Sequence, residues 1–406
     1  MERKIEQKIN KALDIAITKF QSDPDIIYLT EKDGLKLKYF DQDKLKKWKK
    51  NKLCIHSNCN RKSILKSHTI QKSTAIKSIS EDGHVLTPNF NQRTGKLEMI
   101  SIGINDASTF PGFCEEHEKL FEEFESQKDL ICEDHFVLQI YRTVCREIVI
   151  TEYMLKEMIS ASDRYVKYRD EKIKEIFISE IGSDFLIQNN IKNIELRLKN
   201  GDNREKLVKG RVSSLKKYLK LLKTLKNAII SDIKNKKFQK MDCIAIKIDV
   251  VFPVCIAGKS NFYIKPKRKI KNVDVIYNVL PYKDKTYIII CSLKKHALAM
   301  NLYMKQFGNP LGVIGLIERW MVYGSDHWFI KPSVWKNLDV DRQVEILKDI
   351  RDTSKNIGND CKYSIFDDLR KAMINTMDEN YHELSESLIK LLENERKKMI
   401  CVNGIE

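Results

Sequence analysis

Two pairs of metal-binding side chains stand out in this chain, Cys54-x4-Cys59 and Cys114-x2-His117, with 54 residues between them. Cysteine thiolates and imidazole nitrogens bind Zn²⁺ tetrahedrally, and structural zinc sites commonly take two ligands from each of two tight turns. We therefore predict that these four residues hold a structural zinc ion. The segment between the pairs is polar and rich in turns, and a metal would supply folding energy that its small core lacks.

Three other residues leave the ligand set open. His56 lies inside the first pair and is an alternative to one of its cysteines. Cys132 and His135 form a second Cys-x2-His pair, but they begin a stretch of helical periodicity without the Pro-Gly turn that precedes Cys114.

A histidine, His68, lies between the two ligand pairs in the strand-like segment Ser63–Gln71. This arrangement resembles the HNH nucleases, in which such a histidine is the general base that activates water. In those enzymes a divalent metal, usually Mg²⁺, holds the scissile phosphate and stabilises the leaving oxygen. The resemblance implies catalysis by His68, while the alternative is a structural histidine that caps the zinc turn or binds zinc itself.

The resemblance also implies roles for three further residues. Glu118 directly follows the last zinc ligand, where HNH nucleases often carry a metal ligand, so it would hold Mg²⁺ or Mn²⁺. Asn89 or Asn91 would be the residue that orients the base. Ser67 departs from the pattern, because HNH nucleases commonly have a metal-binding aspartate there.

Longer strings resemble a widespread family of bacterial proteins. That family pairs an upstream cysteine knuckle with a Phe-Cys-x-x-His-Asp segment and a Tyr-Arg-x-x-x-Arg-Glu helix. The similar strings here are residues 107–118 (with Glu118 in place of the aspartate), residues 140–147, and the segment that runs from Glu318 to Trp335. The resemblance implies an HNH-like treble-clef zinc module and, by analogy alone, a role in phage defence or as a toxin effector.

The net charge of +17 favours an anionic partner, and the basic residues are concentrated. Residues 44–77 carry eleven Lys or Arg and no acid, and residues 204–240 carry thirteen against two acids. Nucleic acid is the predicted partner, and the alternative is a set of solvated helix faces. The residues predicted to contact it are Lys62, Lys66, Lys72, Arg211, Lys216, Lys217 and Lys220.

Periodicity predicts an α+β fold that is mainly helical, with a small C-terminal β-sheet. The resemblance implies that the N-terminal part is a zinc-bound treble-clef-like module. The predicted regions are an N-terminal helix and hairpin (1–51), the HNH-like zinc module (52–130), a long helical region (131–241) and an α/β C-terminal region (242–406). The long helices are expected to pack antiparallel, with a coiled-coil homodimer as the alternative. Lys226 interrupts their apolar seam.

Two local motifs have a structural and a functional interpretation. Arg142 and Arg146, in a mostly apolar helical stretch, are expected to form internal pairs with glutamate, and the alternative is a phosphate clamp. Trp328, in a polar loop, is expected to be packed, and the alternative is contact with substrate.

These observations predict an HNH-like metal-dependent nuclease. The alternative is a non-catalytic, zinc-stabilised protein that binds nucleic acid or senses a phage component, with a phage or host protein as trigger. No apolar run is long enough to span a bilayer, and the first residues lack the apolar core of a signal peptide, so a cytoplasmic location is expected. The ten scattered cysteines suit reduced thiols or a metal site rather than a disulfide framework.

Overall fold

The computed structural model describes residues 2–22, 46–91, 94, 96–191, 194, 203–235, 238–264, 271–352, 354–378 and 386–399. The chain forms two compact units, each built from two stretches of sequence. The helical unit contains Met1–Trp48 and Ile150–Leu221, and the mixed unit contains Lys49–Val149 and Leu222–Glu406. The helices of four or more residues to which we refer are α1 (Glu2–Ser22), α2 (Glu115–Glu118), α3 (Glu122–Gln127), α4 (Glu133–Ile181), α5 (Ser183–Gln188), α6 (Asn203–Asn235), α7 (Ala297–Lys305), α8 (Pro310–Tyr323), α9 (Pro332–Lys336), α10 (Val340–Arg351), α11 (Asp367–Asp378) and α12 (Glu386–Lys397).

The helical unit has its own apolar core. Ala12, Ala16 and Phe20 recur at helical spacing on α1 and are buried against Ile173 and Phe177 of α4. The predicted N-terminal helix is therefore confirmed. Residues 23–45, which make up most of the remainder of the predicted helix-and-hairpin region (1–51), lie outside the described residues.

Helices α4 and α6 run antiparallel within the helical unit, as predicted. Arg169 of α4 forms a buried ion pair with Glu205 near the start of α6. A groove is lined by residues 159–163 of α4 and by residues 209–216 of α6. Compared with the Arg169–Glu205 pair, these residues have lower numbers on α4 and higher numbers on α6, so the two helices run in opposite directions. The homodimer remains a prediction.

The mixed unit is organised by a seven-stranded sheet in the order β3-β2-β9-β6-β7-β8-β5, with antiparallel pairing throughout. A separate two-stranded sheet pairs β1 with β4. The strands are β1 (Ser67–His68), β2 (His84–Asn91), β3 (Lys96–Gly103), β4 (Thr109–Phe110), β5 (Met241–Ile248), β6 (Val254–Ile264), β7 (Lys271–Pro281), β8 (Thr286–Leu293) and β9 (Trp328–Ile330).

The prediction of a small C-terminal sheet needs correction. The hairpin of β2 and β3, which lies within the region predicted as the zinc module (52–130), joins this sheet through β9, where Leu86 pairs with Ile330. A strand of three residues is too short to show alternation, so its sequence gave no signal. Strand β6 was also hard to recognise, because Lys259 breaks its apolar run and pairs with Asp274 on β7 at 2.6 Å.

Helix α8 supplies much of the core against the sheet. Its N-cap Asn309 accepts a hydrogen bond from the Gly312 amide at 2.8 Å, and Pro310 occupies the first turn, where its missing N–H costs nothing. Trp320 is fully buried and lies tilted on Tyr277 of β7. Trp328 is also fully buried and donates from its indole nitrogen to the Met321 carbonyl, so the prediction that it is packed is confirmed.

Cysteine chemistry outside the candidate metal site differs in one respect from the expectation of reduced thiols. Cys243 and Cys291 face each other across β5 and β8 and form a disulfide.

Within the described residues, no helix is both long enough and apolar enough to cross a bilayer.

Candidate metal centre and the histidine beside it

The first ligand pair is shaped by a tight turn. The Cys54 amide donates to the Arg61 carbonyl at 2.8 Å, and the Cys59 amide donates to the His56 carbonyl at 3.3 Å. Asn58, just before Cys59, has a positive φ of 62°, a conformation that asparagine tolerates better than most residues. The turn brings both thiols to one side.

The second ligand pair is held against this turn by backbone hydrogen bonds. The Ile55 amide donates to the Gly112 carbonyl at 2.8 Å, and the Ile64 amide donates to the Phe113 carbonyl at 2.7 Å. A Cβ atom at Gly112 would lie 2.3 Å from the Phe110 ring, so glycine is required for this close approach. The Pro-Gly turn noted in the sequence therefore docks the second pair on the first.

Helix α2 positions the last two ligands. Cys114 is its N-cap, and His117 is the third helical residue. One helical turn places residues i and i+3 on the same side, so the Cys114 thiol and the His117 imidazole point together.

The four predicted ligands converge. Their donor atoms all lie within 4.8 Å of one another. The sulfurs of Cys59 and Cys114 are 3.9 Å apart, and His117 Nδ1 lies 3.3 Å from Cys114 Sγ and 3.5 Å from Cys54 Sγ. Tetrahedral zinc with ordinary bond lengths would place two sulfurs about 3.8 Å apart and a sulfur and a nitrogen about 3.5 Å apart. The group could therefore hold a metal ion such as zinc.

The two thiols of the first pair differ in acidity. Burial raises the pKa of Cys54 to about 11, whereas a backbone hydrogen bond from Arg61 lowers the pKa of Cys59 to about 6. A metal ion needs both as thiolates, so binding would release a proton from Cys54.

His56 lies beside the ligand group and is not a member of it. Its ring stacks on that of His117, with centroids 4.0 Å apart, and its Nδ1 lies 3.1 Å from the Tyr141 hydroxyl. Burial and the neighbouring His117 lower the pKa of His56 to about 4, so its ring is neutral. The other alternative pair also lies outside the group: Cys132 is exposed, and His135 Nδ1 accepts from the Ile131 amide.

Lys226 accounts for the break in the apolar seam of α6. Its ammonium group donates to the Ile55 carbonyl at 2.5 Å, inside the turn that carries the first ligand pair. The lysine therefore ties α6 to this turn, which explains why an apolar residue is absent at that position.

His68 lies on the short two-stranded sheet next to the metal-ligand helix. Strand β1 pairs Ser67 with Phe110 and His68 with Thr109 of β4, and α2 begins five residues after β4. The strand predicted over residues 63–71 is thus limited to two residues.

A backbone carbonyl orients the His68 ring. Its Nδ1 lies 3.1 Å from the Ala107 carbonyl oxygen, which only accepts hydrogen bonds. Nδ1 therefore carries the proton, and Nε2 keeps its lone pair. Burial lowers the pKa of His68, with a smaller contribution from the nearby positive charge of Arg142, so the ring is neutral at physiological pH.

A strained residue fixes the loop that carries this carbonyl. Ser108 is buried and has φ of 62°, in the left-handed region. Its hydroxyl accepts from the Ile70 amide at 2.9 Å and lies 3.0 Å from Nε2 of the buried His327. These contacts anchor the loop to the residues just after β1 and to the segment before β9.

Glu118, the predicted ligand of a catalytic metal, contacts a guanidinium group. Arg142 is fully buried and donates from Nη2 to Glu118 at 2.9 Å and from Nη1 to Glu125 at 2.6 Å. The same guanidinium lies 4.0 Å from the centre of the Phe121 ring. Burial raises the pKa of Glu118 even though Arg142 opposes this shift. The expected internal Arg–Glu pairing is confirmed for Arg142, and Arg146 pairs with Glu147 at 2.6 Å.

Asn89 and Asn91 lie in the far half of β2, opposite Glu98 and Lys96 of β3. Strand geometry places Asn89 about 17 Å along β2 from His84, which is the end of the hairpin nearest Ala107. The structure therefore does not bring these two asparagines together with His68.

Within the described residues, Cys54, Cys59, Cys114 and His117 form the only group of His, Cys, Asp or Glu that could hold a metal ion.

The predicted nucleic-acid contacts are divided between the two units. In the mixed unit, Lys62 is exposed, Lys66 pairs with Asp106 at 2.5 Å, and Lys72 donates to Asn105 at 3.2 Å. In the helical unit, the remaining predicted residues are exposed on α6: Arg211, Lys216, Lys217 and Lys220.

Sequence reasoning missed two parts of this site. The sequence could not predict that the Ala107 carbonyl contacts His68. Every residue has a backbone carbonyl, and only the fold determines which side chain it faces. Glu125 was one of many acids in a helical segment, and its spacing of seven from Glu118 was the available signal, because residues seven apart share a helix face.

A comparison with known proteins found no family model that matches the chain, no similar curated protein and no similar solved structure.

Proposed function

We propose that the mixed unit is an HNH-like nuclease whose structural zinc is held by Cys54, Cys59, Cys114 and His117. The strand pair β1–β4, followed at once by the helix with the second ligand pair, supports a treble-clef-like module. The orientation of His68 carries the proposal, because a neutral imidazole with a fixed lone pair on Nε2 is what a general base requires.

The proposed chemistry is hydrolysis of a phosphodiester bond. His68 Nε2 accepts a proton from water as the water oxygen attacks phosphorus, and the bond from phosphorus to the leaving oxygen breaks. Arg142 fixes Glu118 and Glu125, so the described residues offer no ready second metal site. The cleavage test therefore compares Mg²⁺ with Mn²⁺.

The test compares two histidines in the same unit. His68→Ala should lower cleavage of DNA or RNA by about 10²- to 10⁴-fold, as expected for loss of a general base. His84→Ala is the matched control, because His84 also directs Nδ1 to a backbone carbonyl, that of Asp82 at 2.8 Å, but is exposed. Both proteins would be assayed with Mg²⁺, with Mn²⁺ and without either added metal. Parent-level cleavage by His68→Ala would remove the proposal.

The buried Arg142 favours a second candidate, a non-catalytic zinc-stabilised protein that binds nucleic acid or senses a phage component. Both nearby carboxylates are committed to this guanidinium, as in a purely structural ion pair. This candidate predicts salt-sensitive binding of nucleic acid without cleavage under any metal condition. The phage-defence context is testable by affinity capture from infected cells, and recovery of no phage component would count against it.

A further inference from the structure

One face of α6 in the helical unit carries a row of five lysines, with a gap of about two helical turns between Lys209 and Lys216. An α-helix turns 100° per residue, so the five side chains fall within an arc of about 100° and extend over about 21 Å. We call this row the lysine stripe; it consists of Lys206, Lys209, Lys216, Lys217 and Lys220. All five are exposed.

The stripe has little compensating negative charge on its own helix. Residues 206–220 contain no acid. Glu205, just before them, is mostly buried and pairs with Arg169 as well as with Lys209. Beside the stripe, a groove of about 360 Å³ is lined by Ser162, Asp163, Lys209, Ser213 and Lys216, together with Ile159 and Val212 at its apolar side. Asp163 is its one acid.

We infer that the lysine stripe is a docking surface for the backbone of duplex DNA, which deepens the proposed function and rests on it for the substrate class. Closely spaced cations on a rigid rod complement a line of phosphates, because each contact releases a condensed counterion. Serine hydroxyls in the adjoining groove are further donors to phosphate oxygens.

The composition of the stripe selects duplex over single-stranded nucleic acid. Proteins that bind single strands stack bases on aromatic side chains. The one aromatic residue in this stretch is Tyr218, which lies outside the arc of the lysines. DNA is selected over RNA because a helix that contacts phosphates from one side can follow the edge of the wide major groove of B-form DNA, whereas the major groove of A-form RNA is deep and narrow.

The stripe excludes Arg211, which the sequence analysis grouped with Lys216, Lys217 and Lys220. Arg211 lies about 170° from the centre of the lysine arc, so it is excluded from the surface. It supplies a control on the same helix with the same charge.

The test measures how binding of a DNA duplex depends on salt, in buffer without added Mg²⁺ or Mn²⁺ and with the His68→Ala protein so that no cleavage intervenes. The stripe variant replaces Lys206, Lys216, Lys217 and Lys220 by glutamine. The control variant replaces Lys4, Lys11, Lys167 and Arg211 by glutamine, and so removes equal charge from exposed positions of the same unit. Glutamine keeps the helix propensity of lysine.

Binding should depend less steeply on salt in the stripe variant. We expect the magnitude of the slope of log K against log salt to fall by about 3 to 4, because each lost phosphate contact removes about 0.9, and we expect little change in the control. Should the fourfold variant fold poorly, Lys206→Gln with Lys216→Gln, and Lys217→Gln with Lys220→Gln, should each lose about half that slope. Equal slopes for stripe and control variants, or equally tight binding of single-stranded DNA or duplex RNA, would overturn the inference. Neither result bears on His68, whose own cleavage test stands separately.

Discussion

At the scale of single residues, the candidate site combines a neutral base with a buried ion pair. Ala107 orients His68, and Arg142 fixes Glu118 and Glu125 on the adjoining helices. Burial and the charge of Arg142 lower the pKa of His68 by disfavouring its protonated form. The ring therefore stays neutral, and able to accept a proton, at a lower pH than a free imidazole.

This environment predicts the pH dependence of cleavage. The base must be neutral, and its pKa is lowered, so kcat/KM should stay on its plateau as the pH falls below about 6.5 and should decline only through the lower pKa of the folded protein. The same sign applies to stability: the unfolded chain binds the proton more readily, so stability decreases as the pH falls through this window. A pH–rate profile from about pH 5 to 8 tests this, and an acid limb centred above pH 6.5 would contradict it.

At the scale of elements, the metal-ligand turns are supported by long helices. Lys226 of α6 binds the turn with the first pair, and Tyr141 of α4 contacts His56 beside the ligands. Spacing alone predicted the four ligands and both long helices, because these depend on local periodicity and turn chemistry. Lys226 appeared only as a defect in a heptad pattern, since its partner is a carbonyl 171 residues away in sequence.

Loss of this contact should weaken the support of the turn. Lys226→Met keeps a similar apolar stem but leaves the half-buried Ile55 carbonyl without its charged donor, so we expect about 1 to 3 kcal/mol of lost stability. Lys234→Met, at an exposed position about two turns later on the same helix, is the control and should cost less than about 0.5 kcal/mol. Chemical denaturation measures both, and equal costs would argue against the role assigned to Lys226.

At the scale of the whole molecule, chemistry and substrate docking are proposed for different units. The mixed unit contains the ligand group and His68, and the helical unit contains the lysine stripe. The large sheet could not be assembled from sequence, because its central connection is the three-residue β9, which joins β2 to β6 across more than 160 residues of chain. Local patterns identify strands, whereas the pairing of distant strands depends on tertiary packing.

The metal content of the purified protein tests the central claim most directly. We expect one zinc ion per chain in the parent and in Cys132→Ser, which removes an exposed cysteine outside the ligand group. We expect loss of that zinc in Cys114→Ser and in His117→Ala, since three remaining ligands bind a structural ion far more weakly. A parent protein without zinc, or zinc retained in full when Cys114 and His117 are both replaced, would contradict the account.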